Sequence, residues 1–430
     1  MSRPDQGVAA TADVRPRVAL LAALGYGLLE SGQLSDQTEL DLRRYGHRLG
    51  LNGLAISSFG RMLIIEAATE DGGTVSSSGA ARSLDAIDCT RLRELDRLAE
   101  RTASAPLARI AGVDSRRHLL AARRVAQRLR DAGTPWWVGS LGLAMLAFFI
   151  SMQVGVSWQA WVCAAVVQIV SSAMGLAAGA IRVPRAFAIA VQSAVAGAIA
   201  TLLVQWGFVD PVGAAAAIAV NWLLLLPLPQ VIGSVIEAIS GNHLSAITRV
   251  ANVAVAGVGI FVGGALTFEL GEILGMAHPK LDALPSMPWF LILVFSAMGA
   301  VANAFANGGR LDLVLPAAAL GATTAAVNQA LLGWLGLPAL WSSSLSAVVL
   351  GLLSARLALR TGYPSQVLAL MGITGALLPG IPVFFGILQE MGGASGTSHF
   401  GSAVAISVGI GAGVALGGFL SGLIRPREAG

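Results

Sequence analysis

The sequence predicts a mainly α-helical, polytopic membrane protein preceded by a small α+β domain. Three observations carry this. Of 430 residues, 55% are hydrophobic and 12% charged, about half the ~25% usual for a soluble domain. The charge is unevenly placed: residues 1–135 hold 35 charged side chains and residues 136–430 hold 17. From residue 136 onward the chain is a succession of ten apolar stretches, each able to cross a hydrocarbon core that needs about 20 helical residues. The 52 glycines and the low aromatic content of 6% suit closely packed membrane helices. Disorder is excluded by the same numbers. Cys89 and Cys163 are the two cysteines, so neither a disulfide scaffold nor a CxxC metal site is expected. The five histidines fall in no HExxH or HxH spacing, and we expect no metal and no cofactor. The net charge of +4 comes without a basic run interleaved with aromatics, so no nucleic-acid partner is expected.

Residues 1–135 form the first domain, expected in the cytoplasm. Residues 16–31 and 35–50 read as helices. Leu42, Leu49 and Leu51 mark an apolar face, and Ser35 or Asp36 can cap the second helix. Leu54–Ser58 and Arg61–Ala68 read as a hairpin-like strand pair around Phe59-Gly60, with Asp71-Gly72-Gly73 as a turn. Residues 89–102 and 114–131 return to helix, rich in Arg and Leu, with solvated faces suited to water or acidic headgroups. Arg15 and Arg17 precede an apolar run, Val18–Leu29, but no small-residue cleavage site follows, so the run is expected to stay in the protein. Ser57, Ser58, His47 and several Asp are present, yet no GxSxG, GxxxxGK[ST] or GxGxxG pattern surrounds them. A regulatory or structural domain is therefore the expectation, and an enzyme or signalling protein acting through residues 1–135 is the rival.

The ten stretches run roughly 136–156, 158–181, 186–206, 211–238, 246–268, 288–307, 311–332, 340–360, 364–389 and 400–424. With the first domain inside, the loops on that side hold Arg182, Arg185, Arg249, Arg310, Arg356, Arg360, Arg425 and Arg427. The opposite loops hold Asp210, Glu269, Glu272, Asp282 and Glu390, with Lys280 their one cation. This agrees with the positive-inside rule and predicts ten spans with both termini in the cytoplasm.

An internal repeat divides the membrane part into residues 136–272 and 286–430, five stretches each. Pro229, Gly233 and Glu237 match Pro382, Gly386 and Glu390 at an offset of 153. The same offset pairs Asn221 with Thr374 and Ser193-Ala194-Val195 with Ser346-Ala347-Val348. At 154, Gly259-xxx-Gly263-Gly264 matches Gly413-xxx-Gly417-Gly418. An odd number of crossings inverts the second copy. Inverted repeats recur in secondary transporters, whose sites lie where broken helices meet at mid-membrane. Here prolines make the breaks, freeing carbonyls that must face protein or water. Asn221, Pro227, Pro229, Thr374, Pro379, Gly380 and Pro382 are the substrate-binding or helix-break candidates. A solute with an ammonium and a carboxylate could use freed carbonyls and half-helix N-termini.

Each feature also has a plainer reading. A proline kink can be a packing device, and the glycine stripes can serve close helix approach. Glu237 and Glu390, near opposite faces, are either exposed interfacial acids or proton-coupling or gating carboxylates. Asn252, Asn303, Asn307, Asn328 and Gln329 are further intramembrane polar groups, some expected to make only helix–helix bonds. His243 and His399 open the fifth stretch of each half and read as interfacial.

Several segments resemble the threonine/serine exporter family. They are Leu24-Gly25-Tyr26-Gly27-Leu28-Leu29-Glu30-Ser31-Gly32, Arg43, Leu49-Gly50, and Asp88-Cys89-Thr90-Arg91-Leu92-Arg93-Glu94-Leu95. Pro227 with Gly241, Tyr363-Pro364 and Leu378-Pro379-Gly380 carry the likeness through the membrane part. The chain departs from the family pattern at Pro227-Leu228, around Thr38-Glu39, and at Met152-Gln153. The resemblance implies export of threonine and serine across the inner membrane, driven by protons. Some relatives of this architecture are associated with dicarboxylates such as succinate. A homo-oligomer is compatible with the sequence.

Overall fold

The computed structural model describes residues 5–84, 87–105, 112–153, 157–275, 287–391 and 395–423. His278, Lys280, Asp282, Arg425 and Arg427 lie outside the described residues, as does the side chain of Glu390. The described chain divides into two compact units.

The first unit comprises the chain up to Thr134 together with Glu237–Thr248 and Gly362–Pro364. Its centre is α1 (Asp5–Glu30), where Leu20, Leu21, Leu24, Leu28 and Leu29 are all buried. The signal-like apolar run is thus the core helix of this unit, and the helix begins well before residue 16. Around it pack α2 (Ser35–Arg48), α3 (Cys89–Ser104), α4 (Val113–Asp131) and a sheet. The sheet is antiparallel in chain order: β1 (Asn52–Phe59), β2 (Met62–Ala68) and β3 (Thr74–Ala80). In β2, Leu63, Ile65 and Ala67 are buried while their neighbours are not, the period of two that a one-faced sheet requires. The third strand was not expected from its polar sequence; it forms because seven residues pair in register with β2, from Met62–Ala80 to Ala68–Thr74. On α3, Leu92, Leu95, Ala99 and Ala103 form the buried stripe, and Asp88 caps its start by accepting from the Arg91 N–H at 2.9 Å.

The expected cap of α2 is corrected. Leu34 occupies the cap position and makes no side-chain cap bond, which places Ser35 and Asp36 inside the first turn. The Ser35 N–H instead donates to the Glu237 carboxylate at 2.9 Å, an anion placed where the helix dipole favours one. Ser245 Oγ lies 3.0 Å from Ser35 Oγ and accepts from the Gly60 N–H at 2.9 Å. Gly60 sits at the β1–β2 turn with φ +59°, which a side chain adopts poorly. The Arg93 guanidinium lies over the Tyr363 ring at 4.7 Å and donates to its hydroxyl.

The second unit is helical. Its apolar helices in chain order are α5 (Trp136–Gln153), α6 (Trp158–Ala180), α7 (Arg185–Gln205), the pair α8 (Pro211–Leu225) and α9 (Leu228–Ile239), α10 (His243–Ile273), α11 (Trp289–Ala306) and α12 (Val314–Gln329), the facing ends of α9 and α10 from Glu237 to Thr248 belonging to the first unit. They continue with α13 (Ala339–Thr361), α14 (Ser365–Ala376), α15 (Gly380–Met391) and α16 (Thr397–Leu423). A π-helical turn, Ala330–Trp334, ends α12. Among the described residues, eight helices are long and apolar enough to cross a membrane, and nine if α8 and α9, bent by 48°, count as one. The ninth expected stretch is divided between α14 and α15, each 12 residues long.

Two helices are enclosed on every side: Gly213–Leu223 of α8 and Val367–Gly375 of α14 are buried residue by residue. Their sequences fit this central position, because both are apolar or small all round and neither carries a polar stripe that would call for water. Glycines let other helices meet at backbone distance. A methyl at Gly263 on α10 would strike the Ala190 carbonyl and Ser193 Cβ on α7; one at Gly413 on α16 would strike the Ser344 carbonyl and Ala347 Cβ on α13. Trp136, Trp137, Trp158, Trp206, Trp289, Trp334 and Trp341 are exposed, all at or next to helix ends.

Candidate functional site

Within the second unit a cavity of about 320 Å³ opens beside the α14–α15 break. One wall is apolar and comes from α8: Ala216, Ala219, Val220 and Leu223. The other is formed by Thr374, Ala376 and Leu377 through Gly380 and Pro382, with Ile150, Ile292 and Ile406 closing the sides. Five polar side chains line it: Gln153, Asn328, Gln329, Ser343 and Thr374. Among the described residues, none of the lining side chains is ionisable.

The break explains the wall. Pro379 has no N–H, so the carbonyl four residues earlier, that of Gly375, loses its helical donor. Gln153 supplies the replacement, donating Nε2 to the Gly375 oxygen at 3.0 Å from α5. The chain then restarts as α15, whose Val383 N–H returns to the Pro379 carbonyl at 3.3 Å. Gly380, the first residue of α15, lies 3.1 Å at its would-be Cβ from Leu223 Cδ2, so the restart is packed against α8.

Thr374 is held by its neighbours. Its hydroxyl donates to the Leu370 carbonyl at 2.8 Å and accepts from Asn303 Nδ2 at 3.0 Å. Asn307 Nδ2 donates to Asn303 Oδ1 at 2.9 Å, continuing the chain along α11. Asn328 differs. It is 8% exposed, and among the described residues no group donates to its buried Oδ1.

The structure thus gathers four of the expected break residues at one cavity: Thr374, Pro379, Gly380 and Pro382. Pro227 and Pro229 mark the bend between α8 and α9 but do not line it. Asn221 is fully buried and turned elsewhere, donating Nδ2 to Gln168 Oε1 at 2.7 Å. Glu237 is not an exposed interfacial acid: it is fully buried and bonded to Ser35 in the first unit. Sequence reasoning missed Gln153 and Ser343. A lone amide at the end of an otherwise apolar span was the available signal for Gln153.

In the first unit, Glu30 forms a buried bidentate pair with Arg130, at 2.5 and 3.0 Å, and accepts from the Arg82 N–H at 2.8 Å. Burial works to raise the Glu30 carboxyl, but the Arg130 and Arg82 hydrogen bonds and charges outweigh it and hold it below the usual carboxylate value. Burial pushes the Asp41 carboxyl up, against hydrogen bonds from Gln37 and Gln33. Among the described residues no group of three or more His, Cys, Asp or Glu is placed to hold a metal.

The family described as "Putative threonine/serine exporter" matches residues 19–271. A curated "Probable threonine/serine exporter" of Mycobacterium tuberculosis (strain ATCC 25618 / H37Rv) is 28% identical over 357 residues. That match covers 79% of this chain and 64% of the relative, so the chain spans less than two thirds of the relative's length. No solved structure matches. With a family match over more than half its length, running from the core helix α1 to the end of α10, the chain belongs to the threonine/serine exporter family.

Proposed function

We propose that this chain is an inner-membrane secondary transporter that exports threonine and serine, driven by the proton motive force. The observation that carries the proposal is the cavity at the α14–α15 break: about 320 Å³, mostly apolar with five polar side chains, and lined by no charged group among the described residues. That volume lies at the low end of the ~300–1,000 Å³ of small-molecule sites. A neutral or zwitterionic solute can leave water there without burying an unmatched net charge. A dicarboxylate such as succinate would bring two negative charges to a wall that holds no cation among the described residues, which disfavours that reading. Family membership in turn disfavours an enzyme acting through residues 1–135.

We further propose ten spans, 136–272 and 286–430 as inverted halves, and both termini in the cytoplasm with the domain 1–135. Three features support this. The enclosed segments of α8 and α14 correspond in the repeat, with Asn221 on one and Thr374 on the other. Glycines matched by the repeat meet matched helices: Gly259 and Gly263 of α10 meet backbone carbonyls of α7, and Gly413 and Gly417 of α16 meet backbone carbonyls of α13. Trp158, Trp206, Trp289, Trp334 and Trp341 fall at ends assigned to the outer face and Trp136 and Trp137 at the inner end of α5, so that exposed tryptophans flank the apolar spans as interfacial belts do. Glu237 and Glu390 are the candidate proton-coupling carboxylates.

The test is efflux. Cells loaded with a threonine-containing dipeptide should release threonine faster with the protein than without it, and a protonophore should abolish the difference. Equal release in both strains would overturn the proposal.

A further inference from the structure

Burying an amide oxygen without a donor costs free energy that folding does not recover, and native proteins leave few such atoms. Asn328 Oδ1 is one: the residue lines the cavity, and this oxygen itself is buried. Its position on the helix is also unusual. The chain leaves α12 one residue later and enters the π-helical turn Ala330–Trp334, in which the Leu335 N–H reaches back to Ala330 and Leu332 joins the cavity wall. Single π turns are frequent at functional sites, where the extra residue re-aims the side chains around it.

Of the other four polar side chains at the wall, Gln329 and Ser343 leave no buried polar atom unpartnered among the described residues, and the remaining two have assigned tasks. Thr374 is held between Asn303 and Leu370, and Gln153 is committed to Gly375. An ammonium group has three donors and no acceptor, and among the described residues the lining holds no carboxylate to receive it. From these observations, and resting on the exporter reading above, we propose that Asn328 is the residue that recognises the substrate's ammonium group. The cavity then takes small α-amino acids as zwitterions: ammonium on Asn328 Oδ1, carboxylate toward Gly380 at the start of α15. The first N–H groups of that helix lack intrahelical partners, and its dipole favours an anion.

The experiment uses the full chain, purified in detergent, with threonine binding measured by calorimetry and ligand-free melting measured alongside. The variants are Asn328→Leu, which keeps the shape and removes the amide, and Asn328→Asp, which keeps the shape and the acceptor. Asn328→Leu should weaken threonine binding by about 10- to 100-fold, the loss of one hydrogen bond to a charged group. Its ligand-free melting temperature should equal or exceed that of the wild type, because an unpaired buried amide is replaced by an apolar group. Asn328→Asp should keep threonine binding. Wild-type protein should not bind N-acetylthreonine, which lacks the ammonium.

Wild-type affinity in Asn328→Leu would overturn the assignment while leaving the exporter reading intact, as would loss of binding in Asn328→Asp. Equal binding of N-acetylthreonine and threonine would also overturn it. Absence of both threonine and serine binding by the wild type would overturn the exporter reading itself, and the assignment with it. Should Asn328→Leu fail to fold, Asn328→Asp and the N-acetylthreonine comparison decide the matter alone.

Discussion

The bond between Gln153 and the Gly375 carbonyl can be tested as a repair of the break that Pro379 makes. Replacing Gln153 by Met keeps the length and removes the donor, leaving the Gly375 oxygen buried and unmatched. Such an orphan costs about 1–3 kcal/mol. Replacing Pro379 by Ala returns an N–H to the position four residues after Gly375, so the helix can satisfy that oxygen from within its own ladder of bonds. In the Pro379→Ala background Gln153 becomes redundant, and Gln153→Met should there cost less than about 0.5 kcal/mol, the size of an ordinary substitution without such a feature. The double-mutant cycle therefore has an expected coupling of about 1–2 kcal/mol, within the range for residues sharing one hydrogen-bond network. The assay is equilibrium unfolding of the purified full chain in mixed detergent micelles, on the wild type, both single variants and the double variant. Strictly additive costs would refute the repair and make Gln153 an ordinary packing residue. A transport readout adds a second expectation: Pro379→Ala, by closing the break that forms the cavity wall, should lower threonine efflux at least tenfold.

Four further outcomes are expected. Arg130→Ala should destabilise the first unit by about 3–5 kcal/mol, because it leaves the buried Glu30 carboxylate without its partner; protection of α1 amides from hydrogen exchange reports it. With the folded Glu30 carboxyl held below its unfolded value, its contribution is complete above the unfolded value and is lost as pH falls through the folded one, so α1 protection should decline on acidification in the wild type and much less in Glu30→Gln. Gly263→Leu and Gly413→Leu should abolish monodisperse protein on size exclusion, since each forces a helix pair apart, whereas Gly257→Ala and Gly418→Ala, which meet nothing within 4 Å, should be tolerated. Glu237→Gln or Glu390→Gln should slow efflux and flatten its pH dependence while expression persists; an unchanged pH profile in both would remove the coupling role.

The membrane helices were legible because apolar runs and their bounding arginines are local signals. So were the breaks, since proline acts on its own helix. What joins distant residues was not legible. Gln153 and Gly375 are 222 positions apart, and only folding assigns one to the other. Asn221 and Thr374 looked equivalent by spacing, yet Asn221 bonds to α6 while Thr374 lines the cavity. Asn328 was visible as one polar residue among several, and nothing local distinguished it from Asn303, which is fully engaged. The strand Thr74–Ala80 was missed because serine and glycine carry little strand preference; the neighbouring strand supplies it. Ser35 was read as a helix cap, because the acid that takes this role arrives from position 237.

The π turn at Ala330–Trp334 makes the length of this helix a variable in its own right. Such a turn stores one residue more than an α-helix of the same rise would hold. Deleting a single residue there would let the backbone relax into a regular helix, a change that would misalign most transmembrane helices and that this one can absorb. Because the turn holds the extra residue, the helical segments on either side keep the phase they already have when it is removed. A one-residue deletion in this turn is therefore expected to yield a folded protein altered only in the widened turn beside Asn328, and an insertion–deletion scan along residues 326–336 would find it as the site where folding survives a change of length.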